Sequence, residues 1–187
     1  MIEILDSLDV LAQPVLDLRT LTLAGIRYGS NAADSIDRER IEQVTLSPIV
    51  HRGKSGTGIE AEYYGADGQR LTLDEVVASV IDDHGMLHTA DKVSYKIAGG
   101  RVVGFALYGA ERGALAYFSS LRSYEQFLTA FGTPDSVERH EGFGELLGYR
   151  NYYWGSKKQA YWDSWDGRLS SVNLGDYDGN HGPKPAS

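Results

Sequence analysis

Five histidines offer the first candidates for chemistry. His84 and His88 are four residues apart, and on a helix that spacing presents two imidazoles to one metal ion. Asp82 and Asp83 stand just before them and would add hard oxygen ligands. Gly85 lies between the two histidines and is expected to end the helix first, leaving His84 in a C-terminal turn where a cation is favoured. His140 and Glu141 are adjacent and could act as an acid–base pair, but no third partner accompanies them. His51 and His181 fall in glycine-rich surroundings that read as loops. Asp163, Asp166, Asp176 and Asp178 form a loose acidic cluster. It is too sparse for a calcium loop, which needs a denser run of oxygen ligands, but it could capture a basic partner.

Recognised catalytic motifs are missing. Gly53-Lys54-Ser55-Gly56 has the Lys-Ser pair of a phosphate-binding loop without the preceding glycine at the required spacing. The sequence contains no His-Glu-x-x-His and no Gly-x-Ser-x-Gly. It also contains no cysteine, which excludes disulfides, thiolate metal sites and a cysteine nucleophile. The expectation is a protein without enzymatic activity, metal or cofactor.

The densest feature is aromatic. Tyr149, Tyr152, Tyr153, Trp154, Tyr161, Trp162, Trp165 and Tyr177 crowd into the last part of the chain. Strand alternation cannot bury all of them on one sheet face, so some must be exposed or covered by a helix. Exposed Trp and Tyr beside carboxylates have the chemistry of a protein-binding hot spot, and also of a sugar-stacking platform.

These side chains need a frame. The chain has 187 residues, 42 % of them apolar and 24 % charged, which suits one globular domain over 1–177, with 178–187 as a disordered tail. The net charge of -8 repels phosphate backbones and argues against nucleic acid. No stretch approaches the ~20 apolar residues of a membrane span. The N-terminus lacks the basic and apolar regions of a secretion signal, so a cytoplasmic location is expected.

The fold class expected is α+β, an antiparallel sheet packed by a few helices. Residues 17–23 alternate like a strand, and Ser30 or Asn31 could cap a helix over 32–44. Thr72-Leu73-Asp74-Glu75 is a capping box before a stripe of Leu73, Val76, Val77, Val80 and Ile81. Ser123-Tyr124-Glu125-Gln126 is a second, with Gly132-Thr133-Pro134 as the stop. A polar loop should follow, then an aromatic strand over 149–154.

Parity tests the hairpins. A three-residue loop Ala98-Gly99-Gly100 pairs Tyr95 with Val103 and Val93 with Phe105, keeping one face apolar. A three-residue loop Trp165-Asp166-Gly167 collects Ala160, Trp162, Val172 and Leu174 on one face, with Tyr161, Asp163, Leu169 and Asn173 on the other and Trp165 at the tip. A helix followed by a hairpin is thus used twice, over about 72–108 and 123–175.

Three segments carry a family resemblance: Ile26-Arg27-Tyr28-Gly29-Ser30, Ser123-Tyr124-Glu125-Gln126-Phe127 through Phe131-Gly132-Thr133-Pro134, and Tyr161-Trp162-Asp163-Ser164-Trp165 through Asn173-Leu174-Gly175. Their layout resembles immunity proteins of bacterial polymorphic and contact-dependent toxin systems. The helix-plus-strands unit is similar to the repeats of β-lactamase-inhibitor-like and BamE-like folds. The resemblance implies a small, acidic, cytoplasmic protein that occludes a cognate protein toxin. Tyr152, Trp154, Tyr161, Asp163, Trp165 and Asp166 are then the expected contact residues, with Glu141 and Glu145 at the rim. A small-molecule or carbohydrate-binding domain using the same aromatics is the alternative, and an enzyme using His84 or His140 is a third reading.

Overall fold

The computed structural model describes residues 8–45, 50–52 (backbone only), 62–109 and 112–175. The expected tail over 178–187, with Tyr177, Asp176, Asp178, His181 and the Gly53–Gly56 segment, lies outside these residues. Two 3₁₀ turns, Asp9–Ala12 and Leu18–Thr20, lead into a small hairpin of β1 (Thr22–Leu23) and β2 (Ile26–Arg27). Next come α1 (Ala32–Ser35), a 3₁₀ turn at Arg38–Arg40 and β3 (Ile41–Thr45). Strands β4 (Val50–Arg52), β5 (Glu62–Tyr64) and β6 (Arg70–Leu71) make a separate small sheet. Helix α2 (Leu73–Asp82) then precedes β7 (His84–Thr89), β8 (Val93–Ala98) and β9 (Arg101–Tyr108). After a 3₁₀ turn at Ala114–Phe118, α3 (Tyr124–Phe131) precedes β10 (Ser136–Gly142), β11 (Glu145–Tyr153), β12 (Lys158–Asp163) and β13 (Arg168–Gly175).

The fold is α+β. Eight strands form one antiparallel sheet in the order β10-β11-β12-β13-β9-β8-β7-β3. The unit of helix followed by meander occurs twice, and the two meanders meet at their last strands, β13 beside β9.

Both long helices start where the sequence says. Thr72 Oγ1 accepts the Glu75 amide, and Glu75 Oε2 accepts the Thr72 amide at 2.8 Å. The second box is only half closed. Ser123 Oγ accepts the Gln126 amide, but Gln126 Oε1 accepts from the Arg122 amide, one residue further back. Helix α2 buries Val76, Val77, Val80 and Ile81; α3 buries Phe127 and Phe131. Phe127 lies 5.7 Å from the Trp162 ring, and Tyr124 stacks on Tyr149 at 4.2 Å. Helices, 3₁₀ turns and the inward rows of the strands share one core cluster.

Residues 17–23, expected to run as a strand, form a 3₁₀ turn at Leu18–Thr20 and only then β1; four further expectations need correction. The first is the helix over 32–44. Asn31 caps the amides of Ala33 and Asp34, but the chain leaves after one turn at Ile36. Ile41 and Val44 belong instead to β3, where a register shift between Ile41 and Gln43 turns both toward the core, opposite Thr89 and Leu87. Their spacing of three imitated a helix.

The second concerns the hairpin loops. Gly99 and Gly100 alone make the first turn, both at positive φ, and Ala98 pairs with Arg101. A bulge at Val103 then sets Tyr95 opposite Phe105 and Val93 opposite Leu107. In the last hairpin the expected pairing holds from Lys158–Leu174 to Tyr161–Ser171. A bulge at Ser170 then pairs Trp162 with Leu169, which is buried in the core and not on the opposite face. Trp165 does sit in the turn.

Third, α2 ends at Asp82, and Gly85 lies inside β7 and does not cap the helix. Fourth, the polar stretch after Pro134 is the edge strand β10. Its charged, alternation-free sequence hid it, and the same charges protect an edge from unwanted pairing.

Residues before β1 are fastened across the sheet end. Lys158 is only 2 % exposed, and its Nζ donates to Leu11 O at 2.8 Å and Gln13 O at 2.6 Å. It also lies 4.3 Å from the Tyr153 ring centre and 4.9 Å from that of Phe131. Ser156 Oγ donates to Pro14 O and accepts the Leu16 amide. Gly132 has a φ of 77° and faces Pro14, with no room for a Cβ.

Among the described residues no carboxylate pairs with Lys158, and burial pushes its pKa down from 10.5 to about 7. Two carbonyls and two ring faces pull it the other way. Between pH 7 and 10.5 the unfolded chain therefore holds a proton that the folded chain has released, so folding gains as pH rises. Relative to Lys158→Met, the wild type should gain stability across that window, by no more than about 1.4 kcal/mol per pH unit. A pH-independent difference in urea midpoints would contradict this. Gly132→Ala should destabilise by about 1 kcal/mol or more in the same assay, through its φ and its contact with Pro14.

Candidate functional site

The helices lie on one face of the sheet. The opposite face carries a row that crosses all eight strands by direct pairing: Ser136, Tyr152, Gln159, Asn173, Ala106, Ser94, His88 and Gln43. A second row runs Glu138, Arg150, Tyr161, Ser171 and Tyr108. No described helix packs on these rows, and seven of the eight residues in the first are polar. Gln159 and Ser94 are nonetheless buried among their neighbours.

Two networks organise this face. In one, Ser94 Oγ lies 2.7 Å from His88 Nδ1 and 2.8 Å from Tyr108 OH, while His88 Nε2 meets Thr45 Oγ1 at 2.9 Å. A serine touching a histidine invites a nucleophile reading, but Ser94 has no exposed surface. Its hydroxyl is held by two partners and cannot reach a substrate from there.

In the other network Tyr152 OH donates to Glu138 Oε2 at 2.9 Å. Arg150 approaches the same carboxylate at 3.5 Å. Hydrogen bonding from Tyr152 holds the Glu138 carboxyl below its usual range, with help from His140 and Arg150. His140 Nε2 is 3.4 Å from Glu138 Oε1 but is not aligned as a hydrogen bond. Tyr161 meets His140 edge-on at 5.5 Å, and burial followed by the Asp163 charge raises its phenol pKa. The Tyr161 ring lies over Gly148, where a Cβ would strike its hydroxyl.

His84 and His88 both project from β7, and four residues of strand separate them by about 13 Å, too far to share one metal. His84 Nδ1 meets Asp83 Oδ2 at 2.7 Å. His140 and Glu141 are consecutive on β10 and point to opposite faces; Glu141 pairs with Arg139 at 2.6 Å. Among the described residues no group of three or more His, Asp or Glu is placed to hold a metal, and no helix is long and apolar enough to cross a membrane.

The eight expected contact residues divide. Glu141, Glu145, Asp163, Trp165 and Asp166 gather at one end of the sheet, where the β10–β11 and β12–β13 turns lie side by side; Ser164 N donates to Leu147 O at 2.9 Å. Tyr161 lies on the uncovered face close to that end. Tyr152 and Trp154 do not join them. They sit about 13 Å or more along β11, stacked 5.1 Å apart, and the Tyr152 ring is buried. Tyr153 and Trp162 are buried on the helix side.

The sheet end also holds two residues that sequence reasoning missed. Phe143 has a φ of 54° and a fully exposed ring. A bulky residue in the left-handed region with no burial to offset it is doubly unfavourable, the pattern expected where a fold serves a partner. Leu147 is the extra residue of a bulge opposite His140–Glu141, and is exposed. The Gly142-Phe143-Gly144 triplet was the available signal. Trp165, 71 % exposed, completes the apolar group. Asp163 Oδ1 fixes its turn by accepting the amides of Trp165 and Asp166.

No family model, curated protein or solved structure matches the chain.

Ser94 has a structural role in this geometry. Ser94→Ala should cost about 1 kcal/mol, because it removes one hydrogen bond from His88 Nδ1 and one from Tyr108 OH, which keep their own longer contact of 3.3 Å. Chemical denaturation measures the loss; an unchanged midpoint would show that the network contributes nothing.

Proposed function

We propose that the chain is an immunity-type inhibitor that neutralises a cognate bacterial protein toxin in the cytoplasm by covering its active surface. The observation that carries this reading is the sheet end: Phe143, Leu147 and Trp165 are each exposed there, on two hairpin ends that also carry Glu141, Glu145, Asp163 and Asp166. Large exposed rings inside a polar rim have the composition of a binding hot spot. They sit on paired hairpins, so little ordering entropy remains to be lost on docking.

Charge selects the partner. Four carboxylates stand against Arg139, Arg168 and Arg122, the first two of which each pair with one of them. The chain as a whole carries -8. A basic toxin surface, such as one that handles nucleic acid or another polyanion, is the complementary shape of charge. The enclosure of Ser94 removes the serine–histidine contact that offered a nucleophile.

Coexpression with the product of an adjacent toxin gene tests the reading in a bacterial host. Wild-type protein should restore growth. Trp165→Ala and Phe143→Ser should each weaken calorimetric binding by roughly 2 kcal/mol or more with the fold intact. Association should slow as salt rises. A host left unprotected by the wild type, or two variants of undiminished affinity, would remove the proposal.

A further inference from the structure

A second feature is independent of the sheet end. A depression of about 320 Å³ opens on the uncovered face, lined by His140, Arg150, Gln159, Tyr161, Ser171 and Asn173. Its size matches the small end of ligand sites. Its base is unusual, because Gln159 is buried on a sheet face that no described helix covers. The Gln159 Oε1 accepts from Asn173 Nδ2 at 3.0 Å, which leaves the Gln159 amide hydrogens and Asn173 Oδ1 uncommitted. Nothing bonds the hydroxyls of Tyr161 and Ser171 among the described residues.

A separate observation points the same way. Among the described residues three buried side-chain polar atoms lack a hydrogen-bond partner, and one of them, His140 Nε2, belongs to the lining of the depression, while Ser136 Oγ lies on the same face outside it. An orphaned buried polar atom costs about 1–3 kcal/mol, and natural folds keep such atoms where something else supplies the bond.

The charges indicate what that something is. Arg150 faces Glu138, and Asp163 lies beside Tyr161. An anion would meet these two carboxylates, and a cation would meet Arg150. The groups left free are amides and hydroxyls, beside an imidazole that faces Glu138 at 3.4 Å without an aligned hydrogen bond. Each both donates and accepts, as sugar hydroxyls do, and the Tyr161 ring adds an apolar edge. We infer that this depression binds a neutral, hydroxyl-rich small molecule of about one sugar ring, held by Gln159, Asn173, Ser171, Tyr161 and His140.

The test is a side-chain amide NMR titration with D-glucose, D-galactose, N-acetyl-D-glucosamine and myo-inositol, with sodium phosphate and sodium acetate as charged controls. At least one neutral probe should shift the Gln159 and Asn173 amide signals saturably at about 10 mM or below. Tyr161→Phe and Ser171→Val should weaken that binding at least tenfold with the backbone spectrum intact, and Trp165→Ala should leave it unchanged. Three results would overturn the inference: no saturable shift up to about 50 mM, equal binding by the variants, or stronger shifts from phosphate or acetate. The first would mean that solvent and Glu138 together satisfy His140.

Discussion

Every strand of the large sheet must turn its apolar residues to one side, and this constraint organises the rest of the structure. Plain alternation does not achieve it. Ile41 and Val44, Val102 and Phe105, and Leu169 and Val172 are each three residues apart, so an unbroken strand would send one of each pair outward. A register shift between the members of every pair puts all six residues in the core. Above that surface the rings of Tyr124, Phe127 and Phe131 meet Trp162, Tyr149 and Phe118.

The two uncommon features of the molecule are consequences. With large apolar groups drawn to the helix side, the other face is left to polar side chains, which hold one another down through His88, Ser94 and Tyr108 at one side and Glu138, Arg150 and Tyr152 at the other. A further bulge works in the opposite sense. Beside His140 and Glu141 it adds Leu147 to β11 at the sheet end. There Leu147 joins Phe143 and Trp165 in the open, among carboxylates. Core residues thus explain the stability, and the departures from core logic gather at the proposed binding surface.

Much of the fold was legible because local chemistry and tertiary need agreed. Thr72 and Glu75 cap a helix whose apolar stripe has the right period, and Ser123 caps another. The inward set Ala160, Trp162, Val172 and Leu174 followed from parity. Bulges defeat parity and are not written in residue type, so the Gly99-Gly100 turn, Leu169 and the 32–44 segment were misread. Strand β10 was hidden because an exposed edge needs no apolar residues. At the candidate site, Trp165 and its neighbouring acids were visible in composition. The Tyr152 ring was not separable from them, because the face on which a strand residue lies does not tell how closely its neighbours close over it. Phe143 was passed over because a lone aromatic between glycines has no period.

The central claim is that the paired hairpin ends are the meeting surface. Hydrogen–deuterium exchange on the protein, alone and mixed with the proposed toxin partner, addresses it most directly. The account predicts slowed exchange over 141–147 and 163–168, with the amides of α2 and α3 unchanged. Unaltered exchange at both turns, with protection appearing over the helices, would contradict it.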